Sequence, residues 1–366
     1  MQAPSSPDRA TVLARFNRNL SRHIIGVAQA LNDELAGQCA TAGHTGLKPA
    51  CMPLLAHIDD GGTRSIDIAM RCGITPQAAG QLVSELVQLG YLKRRQDTED
   101  KRAKRLMLTA RGRRLASDAT RLSATVEEHL IAAVGADALT ECKHSSAQLY
   151  EQLVDPRGAA GAAPYYFAQC LTGLATYCEQ ELMELDRRAG HLRLKMSFSQ
   201  VLMHSSPYGS LINDLAKINN VSKQAISQIV KELEELGYVE RKRNPGDARS
   251  SKIFLTEYGF RLIQDSVANF SALEERFVAV LRQKTFDRFA QTVEQLYRHF
   301  HAPAARAMDA AQQVRVSASL QHFAEAFQQQ QTPQDRAALF TRFGNKLRFS
   351  DAALQMLAEL TLKTER

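Results

Sequence analysis

The chain has 366 residues, 44% of them hydrophobic and 23% charged, the balance of a soluble globular protein too long for one ordinary domain. No apolar run approaches the roughly 18 residues that cross a bilayer, and the opening MQAPSSPDRATVLARFNRN has no apolar h-region, so neither a membrane protein nor a secreted one is expected. A net charge of +7 favours an anionic partner. Six scattered cysteines, none in a CxxC or at zinc spacing with His, read as reduced cytosolic thiols without a metal.

In chain order, Leu13, Phe16, Leu20, Ile24, Val27, Leu31 and Leu35 are spaced three and four apart, which predicts one long helix with an apolar seam. A small central domain follows over residues 50–112. Helical sequence then runs over 115–130 and 136–154. The whole of 8–155 reads as one unit. A Gly- and Pro-rich linker over 156–164 leads to a second unit, 165–300, with its own central domain at 197–259. The second unit opens on another long seam, Phe167, Leu171, Leu174, Cys178, Leu182 and Leu185. Residues 301–366 have no counterpart in the first unit and predict a C-terminal helical extension, either packed on the bundle or serving to bind a protein partner or dimerise further.

The two units are a repeat. A constant offset of 147 positions pairs Leu55 with Leu202, Asp67 with Asp214, Gln77 with Gln224 and Gln81 with Gln228. It pairs Tyr91 with Tyr238, Arg94 with Arg241, Thr109 with Thr256 and Gly112 with Gly259, with no gap from Leu54 to Ala116.

The second copy gives the plainer local reading. Ser222 is a good N-cap for a helix whose apolar stripe is Ala225, Ile226, Ile229, Val230, Leu233 and Leu236. Gly237 stops that helix. YVERKR and SKIFLT then read as the two strands of a hairpin around NPGDA. Helix, short turn, helix and basic hairpin make a winged helix-turn-helix, and the chemistry fits double-stranded DNA. Amide and hydroxyl side chains at the start of a helix can read base edges in a major groove, and basic wings can contact phosphate. The candidate readers are Thr75, Gln77, Gln81 and Ser84 in the first unit. In the second they are Ser222, Lys223, Gln224, Ser227, Gln228 and Lys231. The candidate wing contacts are Arg94, Arg95, Asp100, Lys101, Arg102, Lys104 and Arg105, and then Arg241, Lys242, Arg243, Asp247, Arg249, Ser251 and Lys252.

The succession Leu236-Gly237-Tyr238, Asp247-Ala248-Arg249, Leu255-Thr256 and Gly259 resembles the MarR family of winged-helix transcription regulators. Leu89-Gly90-Tyr91, Asp100-Lys101-Arg102, Leu108-Thr109 and Gly112 repeat it, so the resemblance covers roughly residues 10–300. It implies a mainly α fold with small β-wings: two winged domains joined by an interlocked helical bundle like a MarR homodimer, here within one chain. It further implies a monomeric pseudo-dimer acting as a cytoplasmic transcription regulator, more often a repressor, on an imperfect palindrome. A small aromatic effector between bundle and winged domain, or a redox signal, also belongs to what it implies. The candidates for those roles are His57 and His204, and Cys39, Cys51, Cys170 and Cys178, although packed histidines and inert thiols are the plainer reading.

The alternative is an architectural DNA binder with little sequence preference, which the diluted first recognition helix favours: Gly80 stands where the second has Ser227. A scaffold that has lost DNA binding is a further alternative, opposed by both Asp-x-Arg wings. No Walker loop, HExxH, GxSxG or dinucleotide fingerprint occurs, so neither an enzyme nor a cofactor is expected. The acids among the wing bases call for explanation. Asp97 and Glu99 are expected in the hairpin turn. Asp100 and Asp247 are expected to aim Arg102 and Arg249 by charge-assisted hydrogen bonds.

Overall fold

A computed structural model describes residues 9–97, 104–155, 166–205, 209–219, 221–244 and 247–301. The predicted linker, both wing tips and the C-terminal extension past His301 lie outside them. In the first half, α1 (Arg9–Asn17) and α2 (Leu20–Thr41) lead to α3 (Met52–Leu55), β1 (Thr63–Arg64), α4 (Ser65–Arg71) and α5 (Pro76–Gln88). The wing strands β2 (Leu92–Gln96) and β3 (Lys104–Leu108) follow, then α6 (Ala110–Val134) and α7 (Ala136–Leu153). The second half repeats the order from α2: α8 (Phe167–Arg188), α9 (Ser199–Leu202), β4 (Ser210–Leu211), α10 (Ile212–Ile218) and α11 (Lys223–Glu235). Strands β5 (Val239–Asn244) and β6 (Asp247–Leu255) and helices α12 (Glu257–Leu281) and α13 (Gln283–His301) complete it.

The predicted first helix is two helices. Asn19 separates them, because one amide side chain serves both. Its Nδ2 donates to the Phe16 carbonyl at 2.8 Å, and its Oδ1 accepts from the Arg22 amide at 2.8 Å as the N-cap of α2. The break redirects Val12, Leu13 and Phe16 away from the seam of α2. They pack into the core of the second half's winged domain, with Phe16 stacked on Phe270 at 5.8 Å. Arg9 lies 4.7 Å over the Phe260 ring and pairs with Glu257, and Arg15 donates to Ser271 Oγ at 3.0 Å. The matching positions on α6 have a different character. Where α12 has Phe260, Ile263, Val267 and Phe270, α6 has Arg113, Ala116, Thr120 and Ser123.

Each wing is three-stranded, not the two-stranded hairpin expected. A short strand ahead of the helix-turn-helix pairs antiparallel with the returning wing strand, in the orders β1-β3-β2 and β4-β6-β5. In the first sheet Arg64 faces Arg105 and Arg94 faces Leu106. In the second Leu211 faces Lys252 and Arg241 faces Ile253.

The helical bundle has an apolar core drawn from both halves. It draws Ile24, Val27 and Leu31 from α2 and Leu130 and Leu149 from α6 and α7. It also takes Leu171, Leu174 and Cys178 from α8, and Phe277, Phe289 and Val293 from α12 and α13. The packing is reciprocal. A side-chain carbon at Gly26 on α2 would strike the Tyr297 ring of α13, and one at Gly173 on α8 would strike the Tyr150 ring of α7. Gly26 corresponds to Gly173 and Tyr150 to Tyr297 at the same 147-position offset, so the contact is isologous, as between the subunits of a symmetric dimer. The polar seam is less symmetric: Asn32 Nδ2 donates to Thr172 Oγ1 at 3.0 Å, where the equivalent residues are Glu179 and Ile25.

Candidate nucleic-acid interface

The recognition helices α5 and α11 share one construction. Thr75 and Ser222 cap them, accepting from the amides of Ala78 at 3.2 Å and Ala225 at 3.1 Å. Ala79, Val83 and Leu86 bury one face of α5, and Ile226, Ile229, Val230 and Leu233 bury one face of α11. Ala225, expected within that stripe, is exposed instead. Gly90 and Gly237 end the helices with φ of 76° and 78°, left-handed conformations that release the chain into the wing. A lysine ahead of each winged domain ties the recognition helix from below: Lys48 to Glu85 and Lys195 to Glu232, both at 2.5 Å.

The outward faces differ. On α11, Lys223, Gln224, Gln228 and Lys231 are exposed and Ser227 is half-buried. With Arg241 they line one open concavity of about 470 Å³. On α5, Gln77 and Gln81 are exposed, and Pro76, Gly80 and Ser84 replace Lys223, Ser227 and Lys231. Ser84 is half-buried. Its Oγ donates to the Gly80 carbonyl at 2.8 Å and accepts from Arg94 at 3.1 Å. The first recognition helix therefore carries no cationic side chain of its own.

The wing side chains are placed in several ways. Arg94 and Arg241, on the first strand of each wing, reach back to the recognition helix, to Ser84 and to Glu234 Oε2 at 2.7 Å. Lys242 pairs with Glu240 at 2.7 Å and lies 5.3 Å over the Phe254 ring. Lys93, Arg95, Lys104, Arg243 and Ser251 are exposed, and Lys252 is half-buried.

Arg105 is placed differently from the sequence expectation. Its Nε donates to Asp97 Oδ2 at 3.0 Å and its Nη1 to the Gly62 carbonyl at 3.1 Å. Asp97 is not a turn residue on the surface. Its side chain is fully buried at the end of β2 and also accepts from Arg64 Nε at 2.7 Å. The pairing of β1 with β3 sets Arg64 and Arg105 directly opposite each other. Like charges in that position repel, and one buried carboxylate between them removes the repulsion. The equivalent residues in the second wing are Leu211, Asn244 and Lys252, so this ion cluster belongs to the first wing. Arg64 was not a sequence candidate, since only the third strand brings it to the wing. Glu99, Asp100, Lys101 and Arg102 lie outside the described residues. Asp247 and Arg249 stand on β6, where the backbone alone is described.

The candidate signal residues are enclosed. Burial lowers the pKa of His57, with Arg71 adding to the effect, and pushes that of His204 down to about 4. Both shifts favour the neutral imidazole. Cys39, Cys51, Cys170 and Cys178 are buried and free. Burial raises all four thiols, Cys170 and Cys178 to about 12, which opposes the thiolate that redox chemistry needs. Among the described residues no cluster of three or more His, Cys, Asp or Glu could hold a metal ion, and no helix is long and apolar enough to cross a membrane.

Residues 45–103 and 200–250 match the MarR family model. Over 85 residues the chain is 27% identical to YdcH, an uncharacterised HTH-type transcriptional regulator of Bacillus subtilis (strain 168), covering 23% of this chain and 56% of that one. The chain thus spans about half the length of that curated relative. Among solved structures it is similar to YusO from Bacillus subtilis, 19% identical over 33% of this chain and 84% of the other, with a TM-score of 0.29. It is similar to MepR of S. aureus in a DNA complex, at 20% identity over 27% and 82% with a TM-score of 0.25. A MarR transcriptional regulator from Methanosarcina mazei Go1 gives 21% over 34% and 88%, with a TM-score of 0.29. The family match falls once in each half, on the recognition helix and the start of the wing both times, so the chain carries two MarR-like regions in tandem.

Proposed function

We propose that this protein is a sequence-specific, DNA-binding transcription regulator that works as a single-chain pseudo-dimer, in the sense of a repressor, on an imperfect palindrome. The observation that carries this reading is the mounting of two unlike winged heads on one reciprocal helical core. The family match supports DNA-binding regulation for both units. Two recognition helices on a near-symmetric support suit successive major grooves about one turn of DNA apart.

The heads then divide the work. Head two brings Lys223, Gln224, Ser227, Gln228, Lys231 and Arg241 to one surface and makes most of the base contacts. Head one offers Gln77 and Gln81 and relies more on its wing. Selection from random duplexes tests this together with sedimentation of the complex. The expected result is one chain per duplex and a recovered site with one well-defined half and one weaker half. A complex that forms only with two chains per site overturns the pseudo-dimer. A specificity ratio far below about a thousandfold at fixed salt favours the architectural alternative.

A further inference from the structure

A buried histidine paired with a partly exposed aspartate, beside a tyrosine, occurs twice where a winged head meets the bundle. In the second unit His191, in the loop after α8, is 3% exposed. Its Nε2 lies 3.0 Å from Asp265 Oδ2 on α12 and its Nδ1 lies 3.1 Å from the Tyr238 hydroxyl. In the first unit His44, in the loop after α2, lies 3.0 Å from Asp118 Oδ2 on α6, with the Tyr91 ring 5.8 Å away. All three pairs of residues obey the 147-position offset.

The tyrosine is the point where three elements join. The Tyr238 amide donates to the Leu233 carbonyl of the recognition helix at 2.9 Å. Its carbonyl accepts from Thr256, the N-cap of α12, through the amide at 3.1 Å and the hydroxyl at 3.2 Å. Tyr91 makes the same bonds to Leu86 and Thr109. The two ring nitrogens of His191 lie within hydrogen-bond reach of a carboxylate on the long helix and of the hydroxyl of the tyrosine that follows the recognition helix, so one ring bridges the two elements.

The two copies differ in completeness. In head two the chain Asp265–His191–Tyr238 is continuous, and Tyr258 stacks on Tyr238 at 4.8 Å. In head one Arg111 replaces Tyr258. Its Nη2 donates to the Tyr91 hydroxyl at 3.2 Å with the guanidinium 4.5 Å over the ring, and Asp118 is shared with Arg121 at 3.0 Å. We propose that His44 and His191 are positioning residues for DNA binding, each setting the angle of its recognition helix on the bundle through Tyr91 or Tyr238, with head two held by the complete chain.

This inference rests on the DNA-binding reading above. The test uses the full chain, the duplex recovered by selection, and the same duplex with the half facing head two scrambled. His191→Phe and Asp265→Ala are expected to weaken binding to the intact site about tenfold, the scale of one charge-assisted hydrogen bond. Asp265→Asn, which keeps an oxygen acceptor, recovers most of the loss. On the scrambled duplex the variants and the wild type bind alike. Tyr238→Phe keeps the buried ring and removes only the hydroxyl, so a weakened but fully folded Tyr238→Phe supports the proposal even if His191→Phe does not fold. Unchanged affinity in Tyr238→Phe and Asp265→Ala overturns it, as does an equal loss on both duplexes. A wild-type chain that binds no selected duplex overturns the regulator reading and this inference with it. A wild-type chain that binds while its variants bind equally well overturns this inference alone.

Discussion

Asp97 carries two guanidinium groups on a carboxylate with no exposure of its own, while Arg64 and Arg105 remain about a third exposed. Solvent screens the arginines, so the cluster is worth less than a fully buried triad. Removing the acid still leaves two like charges opposed across a strand pair. Asp97→Ala is expected to destabilise the first winged domain by about 1–3 kcal/mol, measured by urea unfolding. His23 gives a pH dependence of definite sign. It is 8% exposed beside Tyr297 at 4.7 Å, and its pKa is pushed down to about 4, mostly by burial, with Glu294 opposing and Arg22, Arg18 and Arg298 assisting. Between pH 6.5 and about 4 the unfolded chain binds more protons than the folded one, so the stability that is full above pH 6.5 is lost as pH falls through that window. The unfolding free energy should drop by about 1–3 kcal/mol from this group between about pH 7 and about pH 4. His23→Gln should flatten the profile.

Helix packing turns on the two glycines that admit tyrosine rings. Gly26 and Gly173 let α13 approach α2 and α7 approach α8, and any side chain there displaces an aromatic ring from the shared core. Gly26→Leu is expected to cost about 1–3 kcal/mol as overpacking. At Gly37, also on α2, an added side-chain carbon would meet no atom within 4 Å, and Gly37→Ala should instead stabilise by up to about 1 kcal/mol through helix propensity. Opposite shifts in Tm for two glycine substitutions in one helix would separate packing from propensity. The seams of α2 and α8 were legible as three- and four-residue spacing. The identity of the helix facing each seam was not, because periodicity marks a buried face without naming what covers it.

At the scale of the molecule, α1 belongs by sequence to the first unit and by packing to the second. Phe16 fills the second winged domain against Phe270. Phe16→Ala is expected to cost about 3 kcal/mol, and hydrogen exchange should show the loss of protection in α12 and the second head, not in α4 or α5. Protection lost evenly from both heads would contradict the crossing of α1. The α12 face that receives α1 is aromatic and aliphatic, whereas the α6 face at the same offset carries Arg113, Thr120 and Ser123.

By itself the sequence determined what is local or repeated. The 147-position offset marked two units, Thr75 and Ser222 marked the starts of two recognition helices, Gly90 and Gly237 their ends, and the alternating basic strands the wings. These signals depend on neighbours within a turn or two of the chain. Only the tertiary structure decided which partner each residue meets across a distance. It set Asp97 between Arg64 and Arg105 by adding a third strand, sent α1 to the opposite head, and joined His191 to Asp265 and Tyr238. Such contacts require the whole bundle to bring together segments tens to hundreds of positions apart, and no spacing rule along the chain encodes them.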